Sequence, residues 1–201
     1  LIMTSASYRQ SSALLARDTT IDPENKLLWR YPARRLEAEA IRDSMLSVSG
    51  LLDGTMFGPG TLDPNHKRRS IYFMVKRSKL IPMMQLFDSP EPLTSVGSRP
   101  TTIIAPQALL FLNNPQVREC SAAFAGRLAP IAKESVVLAV TQGYWLALGR
   151  PPTSDERADS VEFIDQQAKL HKPNSPASGR QQALTDFCQV LFSMNEFIYV
   201  R

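Results

Sequence analysis

The sequence predicts a mainly α-helical domain, irregular in arrangement, with long loops and one short extended segment near residues 69–76. Three observations predict this fold class. Apolar residues recur at helical spacing through the second half of the chain. Capping residues and prolines stand where those apolar runs begin, and a glycine stands where one of them ends. An alternation of apolar and polar residues, typical of a strand, is convincing in one stretch only.

One helix, predicted over residues 33–49 and called the central helix in this subsection, organises the rest of the chain. Pro32 lies where a first helical turn tolerates proline, and Gly50 lies where a helix can stop. Apolar residues fall on one arc when the segment is wound with helical periodicity, so we expect one face to be buried. The members of this arc are Ala38, Ile41, Met45, Val48 and Leu52.

The charged residues of the central helix fall into two groups. Arg34 and Glu37 point toward the apolar arc, three residues apart, and we expect them to pair because a charge there needs a partner. The other group lies opposite the arc or beside it, at spacings of three and four that let opposite charges meet on the helix surface. This second group consists of Arg35, Glu39, Arg42 and Asp43.

Before residue 101 the sequence predicts little other regular structure. The strand prediction covers residues 68–75, where alternate positions from Ile71 to Val75 are apolar. Glycines and prolines exclude regular structure from residues 51–67. The loop predicted at residues 88–100 is long, and such loops are often functional. The remaining predictions are a helix end at residues 1–9, a loop at 11–25 and a short helix at 80–87.

The second half of the chain is more clearly helical. Asn114 followed by Pro115 is a helix cap followed by the proline that a first turn tolerates. Thr153 and Glu156 have the spacing of a capping box. We therefore expect helices at residues 106–112, from 115 onward, and at 133–148, 154–170 and 180–193, with a linker at 171–179. The side chains expected to face the core are Val117, Cys120, Phe124, Leu128, Val137, Val140, Tyr144, Leu148, Leu184, Phe187, Cys188 and Leu191.

Length and composition describe an ordinary globular chain. Its 201 residues are 43% hydrophobic, enough for one core or for two subdomains at residues 1–112 and 113–201 that share one. The net charge of +4 is too modest to indicate nucleic-acid binding by itself. No apolar run of about 18 residues occurs, so no membrane span is predicted. Because the chain opens on LIMTSASYRQ without an initiator Met, we expect it to be a fragment of a longer polypeptide.

The sequence does not favour a metal site or a covalently attached haem. His66 and His171 have no companion ligand at the spacings that zinc or iron sites use. Cys120 and Cys188 lie in no CxxCH motif, so this chain is expected to carry no cofactor of its own. Both thiols fall on apolar helix faces, and we expect them to be free and buried. A single disulfide between two helices is the alternative.

The alternative function is a hydrolase-like enzyme that uses the carboxylates of the central helix. The sequence has no GxSxG elbow for a nucleophilic serine. Burial would raise the pKa of Glu37 and suit it to acid–base chemistry, whereas an Arg34 partner would cancel that effect. The residues of such a site would be Arg34, Arg42, Glu37, Glu39, Asp43, Asp88 and Arg99, in a cleft roofed by residues 51–66 and 88–100.

A basic patch surrounds the predicted strand, with Tyr72 and Phe73 interleaved. Such patches bind polyanions, although most are solvated faces or contacts to acidic loops. Nucleic acid is disfavoured because no helix-turn-helix, zinc finger or RNP pattern accompanies the patch. A second alternative function is a docking surface for a haem electron-transfer domain. The patch consists of Lys67, Arg68, Arg69, Lys76, Arg77 and Lys79.

Several blocks of the sequence, in one order, resemble a known domain. They are LIMTSASYRQSS, DPENKLLWR, RRLEAEAIRDSMLSVSGLLD, RRSIYFMVKR, QLFDSPEP, APQALLFLNNPQV, ALGRPPTSDE and FSMNEFIYV. Together they make the chain similar, essentially from end to end, to the planctomycete-specific C-terminal domain of unknown function. That domain occurs in large proteins that often carry a planctomycete-type cytochrome c domain. The resemblance also marks Gln107, Asn114, Arg150, Asn195 and Glu196, for which we expect hydrogen bonds that hold loops.

The resemblance implies an exported protein, in the periplasm or at the cell surface, with haem on an upstream domain of the same polypeptide. It supplies no reaction and no catalytic residues. We therefore expect a non-catalytic scaffold or binding module whose ligand is another domain of that polypeptide, a protein or a surface glycan. In this interpretation the charged residues between Arg34 and Asp43 fasten loops and neighbouring helices to the central helix.

Overall fold

Helices make up most of the regular structure, which confirms the mainly α-helical prediction. The computed structural model describes residues 1–93, 95–171 and 176–200. Two short strands, β1 (Arg34–Arg35) and β2 (Tyr199–Val200), pair antiparallel. The helices are α1 (Ala16–Ile21), α2 (Ala38–Ser49), α3 (Pro82–Leu86), α4 (Ala105–Asn113), α5 (Pro115–Glu134), α6 (Val136–Leu148), α7 (Ser154–Leu170), α8 (Pro176–Ser193) and α9 (Asn195–Ile198).

Side-chain caps fix where the long helices begin. The Asn114 side chain accepts the Gln116 N–H at 2.8 Å and starts α5. Thr153 and Glu156 form the predicted capping box of α7. Ser135 caps α6, so the helix predicted over residues 133–148 begins at Val136 instead. Because these signals are local in sequence, they predict helix starts well.

The hydrophobic core is centred on α5 and α8, which pack along each other. Phe124 of α5 stacks on Phe192 of α8 with ring centroids 5.7 Å apart, and both rings are fully buried. Gly143 lets α6 approach this pair closely, because a Cβ atom there would lie 3.0 Å from Phe187 Cε1. Val137 was expected to face the core, but it is 43% exposed because the buried face of α6 runs through Gly143 and its neighbours.

The buried residues of α2 to α9 belong to one hydrophobic cluster. The cluster spans residue 112, and the division into subdomains at residues 1–112 and 113–201 stays a prediction. Cys120 and Cys188 lie in it as free, buried thiols, which confirms that prediction over the disulfide alternative. Among the described residues, no helix is both long and apolar enough to cross a bilayer.

Helix α2 is shorter than the predicted central helix and packs against α5. It starts at Ala38, because residues 34–35 are drawn into β1 and the Leu36 N–H bonds to the Ile198 carbonyl at 2.8 Å. The prediction that the helix begins at residue 33 is therefore wrong. Gly50 ends the helix as predicted, with φ at +80° in the left-handed region.

The predicted strand at residues 68–75 is not a strand. Residues Ser70–Tyr72 form a 3₁₀ turn, because the Asp43 carboxylate accepts both the N–H and the hydroxyl of Ser70. Ile71 and Val75, two of the alternating apolar positions, are 72% and 81% exposed. Within this stretch, Arg68 and Phe73 form isolated bridges, to Asp53 and Thr61.

Residues 1–31 lie outside the core. The helix end predicted at residues 1–9 contains a single 3₁₀ turn, Ile2–Thr4, and α1 interrupts the loop predicted at 11–25. The Asp22 carboxylate accepts the N–H groups of Lys26 and Leu27, at 3.0 and 2.7 Å, and stabilises the turn that follows α1. At the other end, the predicted linker at 171–179 includes residues 172–175, which lie outside the described residues.

Candidate functional site

We call the charged residues predicted for the candidate site, together with Arg35, the polar cluster. They lie on β1, on α2 and just before it, and on the loop that precedes α4. Arg35 reaches furthest into the protein, with a side chain only 3% exposed. Its Nη2 atom lies 2.6 Å from Asp88 Oδ2 and 3.3 Å from the Phe87 carbonyl oxygen, and its Nη1 atom donates to the Thr102 carbonyl. The guanidinium therefore ties β1 to both ends of the loop.

Asp88 is held by several donors at once. Burial opposes its charged form, but the Thr102 N–H at 2.9 Å and the Arg35 guanidinium outweigh burial and hold the Asp88 pKa below its ordinary value. The Thr102 hydroxyl adds a third donor, 2.8 Å from the other carboxylate oxygen. This carboxylate is charged at neutral pH and has no proton to give.

Glu39 and Arg99 form a two-pronged ion pair. The two nitrogen–oxygen distances are 2.8 and 2.9 Å, which is the parallel geometry that arginine and carboxylate prefer. The Arg99 hydrogen bonds, against the opposing effect of burial, hold the pKa of Glu39 below its ordinary value. The pair joins α2 to the long loop, 60 residues away in sequence.

Glu37 does not pair with Arg34, contrary to the prediction. Its carboxylate lies 3.2 Å from Arg99 Nη1, and its side chain is 65% exposed. Both differences follow from the late start of α2, because Arg34 lies in β1 opposite Val200 and not one helical turn before Glu37. The prediction that Glu37 lies on the apolar face of the helix is wrong for the same reason, because Glu37 precedes α2.

Arg42 was predicted on the surface flank of the helix but is buried. Its guanidinium donates to the carbonyl oxygens of His66 and Arg68 and, at 3.2 Å, to the Ser70 hydroxyl. It also lies over the Phe73 ring, 4.7 Å from the centroid. Burial lowers the Arg42 pKa, and nearby carboxylates oppose that effect. Arg42 therefore anchors the loop before the 3₁₀ turn from inside.

Two open grooves run beside these residues. One has a volume of about 600 Å³ and lies between β1 and the loop, with Arg34, Arg35 and Asp88 in its walls. The other, of about 480 Å³, lies along α2 and contains Glu39 and Asp43. The enzyme hypothesis expected carboxylates in such a cleft near Asp88. The structure places them there, but arginine side chains or backbone N–H groups already hold them.

The predicted basic patch is divided in the structure. Lys67 pairs with Glu119, at 2.7 Å. Arg68 stacks on the Tyr72 ring, 3.5 Å from its centroid, and donates to three carbonyl groups of the loop at residues 55–59. Arg69 points outward, and its Nε atom lies 3.8 Å from Asp43.

The remaining cations of the patch share one exposed segment with apolar residues. We call residues 71–79 the basic loop. Ile71, Met74 and Val75 are 72%, 52% and 81% exposed, and the three cations beside them are exposed as well. Those cations are Lys76, Arg77 and Lys79.

Two charge clusters were not predicted. Arg150 bridges Glu156 and Glu196 through four nitrogen–oxygen distances of 2.7 or 2.8 Å and so joins α7 to α9. The Arg150 hydrogen bonds, against burial, lower the pKa of Glu156 to about 2. Asp186 of α8 holds both Arg118, at 2.6 Å, and His171, at 2.5 Å. The capping box and the marked positions Arg150 and Glu196 were the available signals, but neither reveals the pairing.

His66 is the other histidine, and both nitrogens of its ring are buried without a hydrogen-bond partner among the described residues. The edge of the Phe73 ring packs on it, with centroids 4.4 Å apart. Burial first, and the Arg42 charge second, lower the His66 pKa. Within the described part of the chain, no three His, Cys, Asp or Glu side chains are grouped as a metal site would require.

Comparison with known families gives a match over most of the chain. A family model described as PSD1, a protein of unknown function (DUF1553), matches residues 1–164. The chain belongs to this family. The match to PSD1 includes β1, α2, the long loop and the groove along α2, and it ends within α7. Tyr199, which also lines the groove beside β1, lies outside it. No curated protein and no solved structure matches the chain.

Proposed function

We propose that this PSD1 domain is a non-catalytic binding module that holds a partner domain of the same exported polypeptide. The observation that carries the proposal is the state of the carboxylates in the polar cluster. Arg99 pairs with Glu39 and Glu37, and Arg35 pairs with Asp88. A general acid or base needs a pKa near the working pH, whereas the pKa values of Glu39 and Asp88 lie below their ordinary values.

The thiols also argue against catalysis. A reactive cysteine is a thiolate in an electropositive, partly exposed setting. Burial raises the pKa of Cys120 and of Cys188, so both are protonated at neutral pH. The clusters around Arg35, Arg42 and Arg99 fix loops to α2, which is what a rigid platform requires.

The basic loop supplies a surface for the partner. Protein interfaces commonly combine an apolar centre with a polar rim, and here exposed Ile71, Met74 and Val75 stand next to three cations. Charge complementarity assigns the partner an acidic surface. The resemblance to planctomycete proteins with a cytochrome c domain supports the haem-bearing domain as that partner, in the periplasm or at the cell surface.

The test is calorimetric titration of the chain with the separately produced haem domain, at low and at high salt. We expect association that weakens as salt rises, because exposed charges are screened. Replacing Lys76, Arg77 and Lys79 together by Glu should abolish it. The matched control reverses three exposed cations elsewhere, Lys133, Arg157 and Lys169, with the same change in net charge, and should bind normally.

Three results would contradict the proposal. They are the absence of association, association that ignores salt, and equal losses in the basic-loop variant and its control. Equal losses would indicate a nonspecific attraction between opposite net charges.

A further inference from the structure

A small cavity lies between α2, α3, α5 and residues 64–67. Its volume is about 20 Å³, enough for one atom-sized guest. Four of the side chains in its wall carry soft donor atoms. These are the thioethers of Met45 and Met83, the thiol of Cys120 and the imidazole of His66.

The fold fixes each of the four. Met45 on α2 is 2% exposed, Met83 on α3 is 5% exposed and Cys120 on α5 is 3% exposed. His66 is placed by its own backbone, because its carbonyl oxygen accepts from the buried Arg42 guanidinium. Four separate segments therefore converge on one space, which makes the arrangement a product of tertiary structure.

The unpartnered ring nitrogens of His66 are a second, independent observation that favours a ligand here. Neither ring nitrogen is exposed, and neither has a hydrogen-bond partner among the described residues. Buried polar atoms in native proteins nearly always have a partner, and exceptions call for an explanation such as an ion or a water. A water molecule would need two to four polar partners. The other polar side chains of the wall already have partners, since Gln116 donates to Asn65, Arg42 to backbone carbonyl oxygens and Lys67 pairs with Glu119.

The donor set selects the kind of ion. Thiolate, thioether and imidazole ligands favour Cu(I), whereas zinc uses Cys, His and carboxylate. The cavity wall contains no carboxylate, and it contains the cations Arg42 and Lys67. Lys67 is paired with Glu119, but the buried Arg42 guanidinium disfavours a net positive charge beside it, and Cu(I) together with one thiolate is neutral.

We propose that His66, Cys120, Met45 and Met83 bind one Cu(I) ion. On binding, the S–H bond of Cys120 breaks, a copper–sulfur bond forms and one proton leaves to solvent. Copper stays in the Cu(I) state throughout, so no oxidant or reductant is needed. Because the proton must leave, affinity increases with pH.

The test is an oxygen-free titration of the full chain with Cu(I)-acetonitrile against a coloured Cu(I) chelator. We expect one ion held per chain, one proton released per ion and a copper X-ray absorption spectrum with sulfur and nitrogen neighbours. The double variant Met45→Leu, Met83→Leu keeps side-chain volume and should stay folded. It should lose more than the roughly 10- to 100-fold affinity that outer-shell substitutions cost, and His66→Gln should lose as much.

Two controls separate the site from general thiol or thioether binding. Cys188→Ala removes the other buried thiol, and Met74→Leu removes an exposed thioether, and both should bind copper as the unaltered chain does. The proposal is overturned if the chelator removes all copper from the unaltered chain. It is equally overturned if a folded double-methionine variant retains full affinity, or if Cys188→Ala abolishes binding.

Discussion

Four arginines, Arg35, Arg42, Arg99 and Arg150, connect segments that are distant in sequence. Each donates hydrogen bonds to carboxylates or carbonyl oxygens of another segment. Arginine suits this role because its planar fork donates several hydrogen bonds at fixed angles and stays charged when partly buried. Removing one partner of such a pair is costly, since the other charge is left behind.

At this scale we predict how stability depends on pH. The pKa of Glu156 in the folded protein, about 2, is below its ordinary value of 4.5. Its pairing with Arg150 therefore stabilises the fold fully above about pH 4.5, and this contribution is lost as the pH falls toward about 2. Arg150→Met should lower the free energy of unfolding at neutral pH by roughly 1.5–3 kcal/mol. It should also flatten the acid side of the stability curve.

Urea unfolding at a series of pH values measures both effects. Arg157→Met is the control, because Arg157 is an exposed arginine of α7, next to Glu156 in sequence. An acid slope in Arg150→Met as steep as in the unaltered chain would refute the assignment.

Among the secondary-structure elements, local signals correctly predicted where some helices begin. The predictions that failed at β1 and at residues 68–75 depended on partners distant in sequence. The caps at Asn114 and Thr153 act within three residues, so the starts of α5 and α7 follow from sequence. β1 exists because residues 199–200 pair with it, and no pattern near residue 34 announces that partner. The misassigned strand at residues 68–75 has the same cause, since Asp43 turns its backbone from 27 residues away.

In the candidate site, too, the sequence predicted what is local and missed the partners that are distant in sequence. Sequence spacing identified the charged residues that gather beside α2, including Arg35, Glu39, Asp88 and Arg99. It assigned partners within one or two turns of a helix, as helix geometry suggests. The observed partners are 53 residues apart for Arg35 and Asp88 and 60 apart for Glu39 and Arg99.

To test the packing of α6, we predict opposite effects on the free energy of unfolding for substitutions at Gly143 of α6 and Gly126 of α5. Gly143→Leu should destabilise by about 1–3 kcal/mol, because the new side chain would meet Phe187, Leu191 and Leu128. Gly126→Ala in α5 should stabilise by roughly 0.5–1 kcal/mol, because space there is open and alanine favours a helix. Thermal and urea unfolding measure both. Similar effects of the same sign would contradict the close approach of α6.

For the molecule as a whole, the family match and the folding unit differ. The match ends at residue 164, whereas α8 lies beyond it and supplies much of the core. The buried hydrophobic side chains described for α8 are Ala183, Leu184, Phe187, Cys188, Leu191 and Phe192. The first 31 residues lie inside the match but add nothing to the hydrophobic cluster.

We therefore predict that residues 1–164 alone will not unfold cooperatively. Loss of a helix that packs along α5 removes more buried apolar surface than the marginal stability of a domain can spare. Residues 31–201 should melt cooperatively, with a Tm close to that of the full chain. Circular dichroism during heating distinguishes the two fragments. A sharp transition in 1–164 at the Tm of the full chain would show that α8 is dispensable.

The pairing of β1 with β2 has a consequence for synthesis in the cell. Residue 34 leaves the ribosome long before its partner at residue 200, because α2 to α9 lie between them in the chain. Until then the backbone of Arg34 and Arg35 lacks the strand that it pairs with. The groove beside β1 can thus take its final form only after residue 200 has left the ribosome.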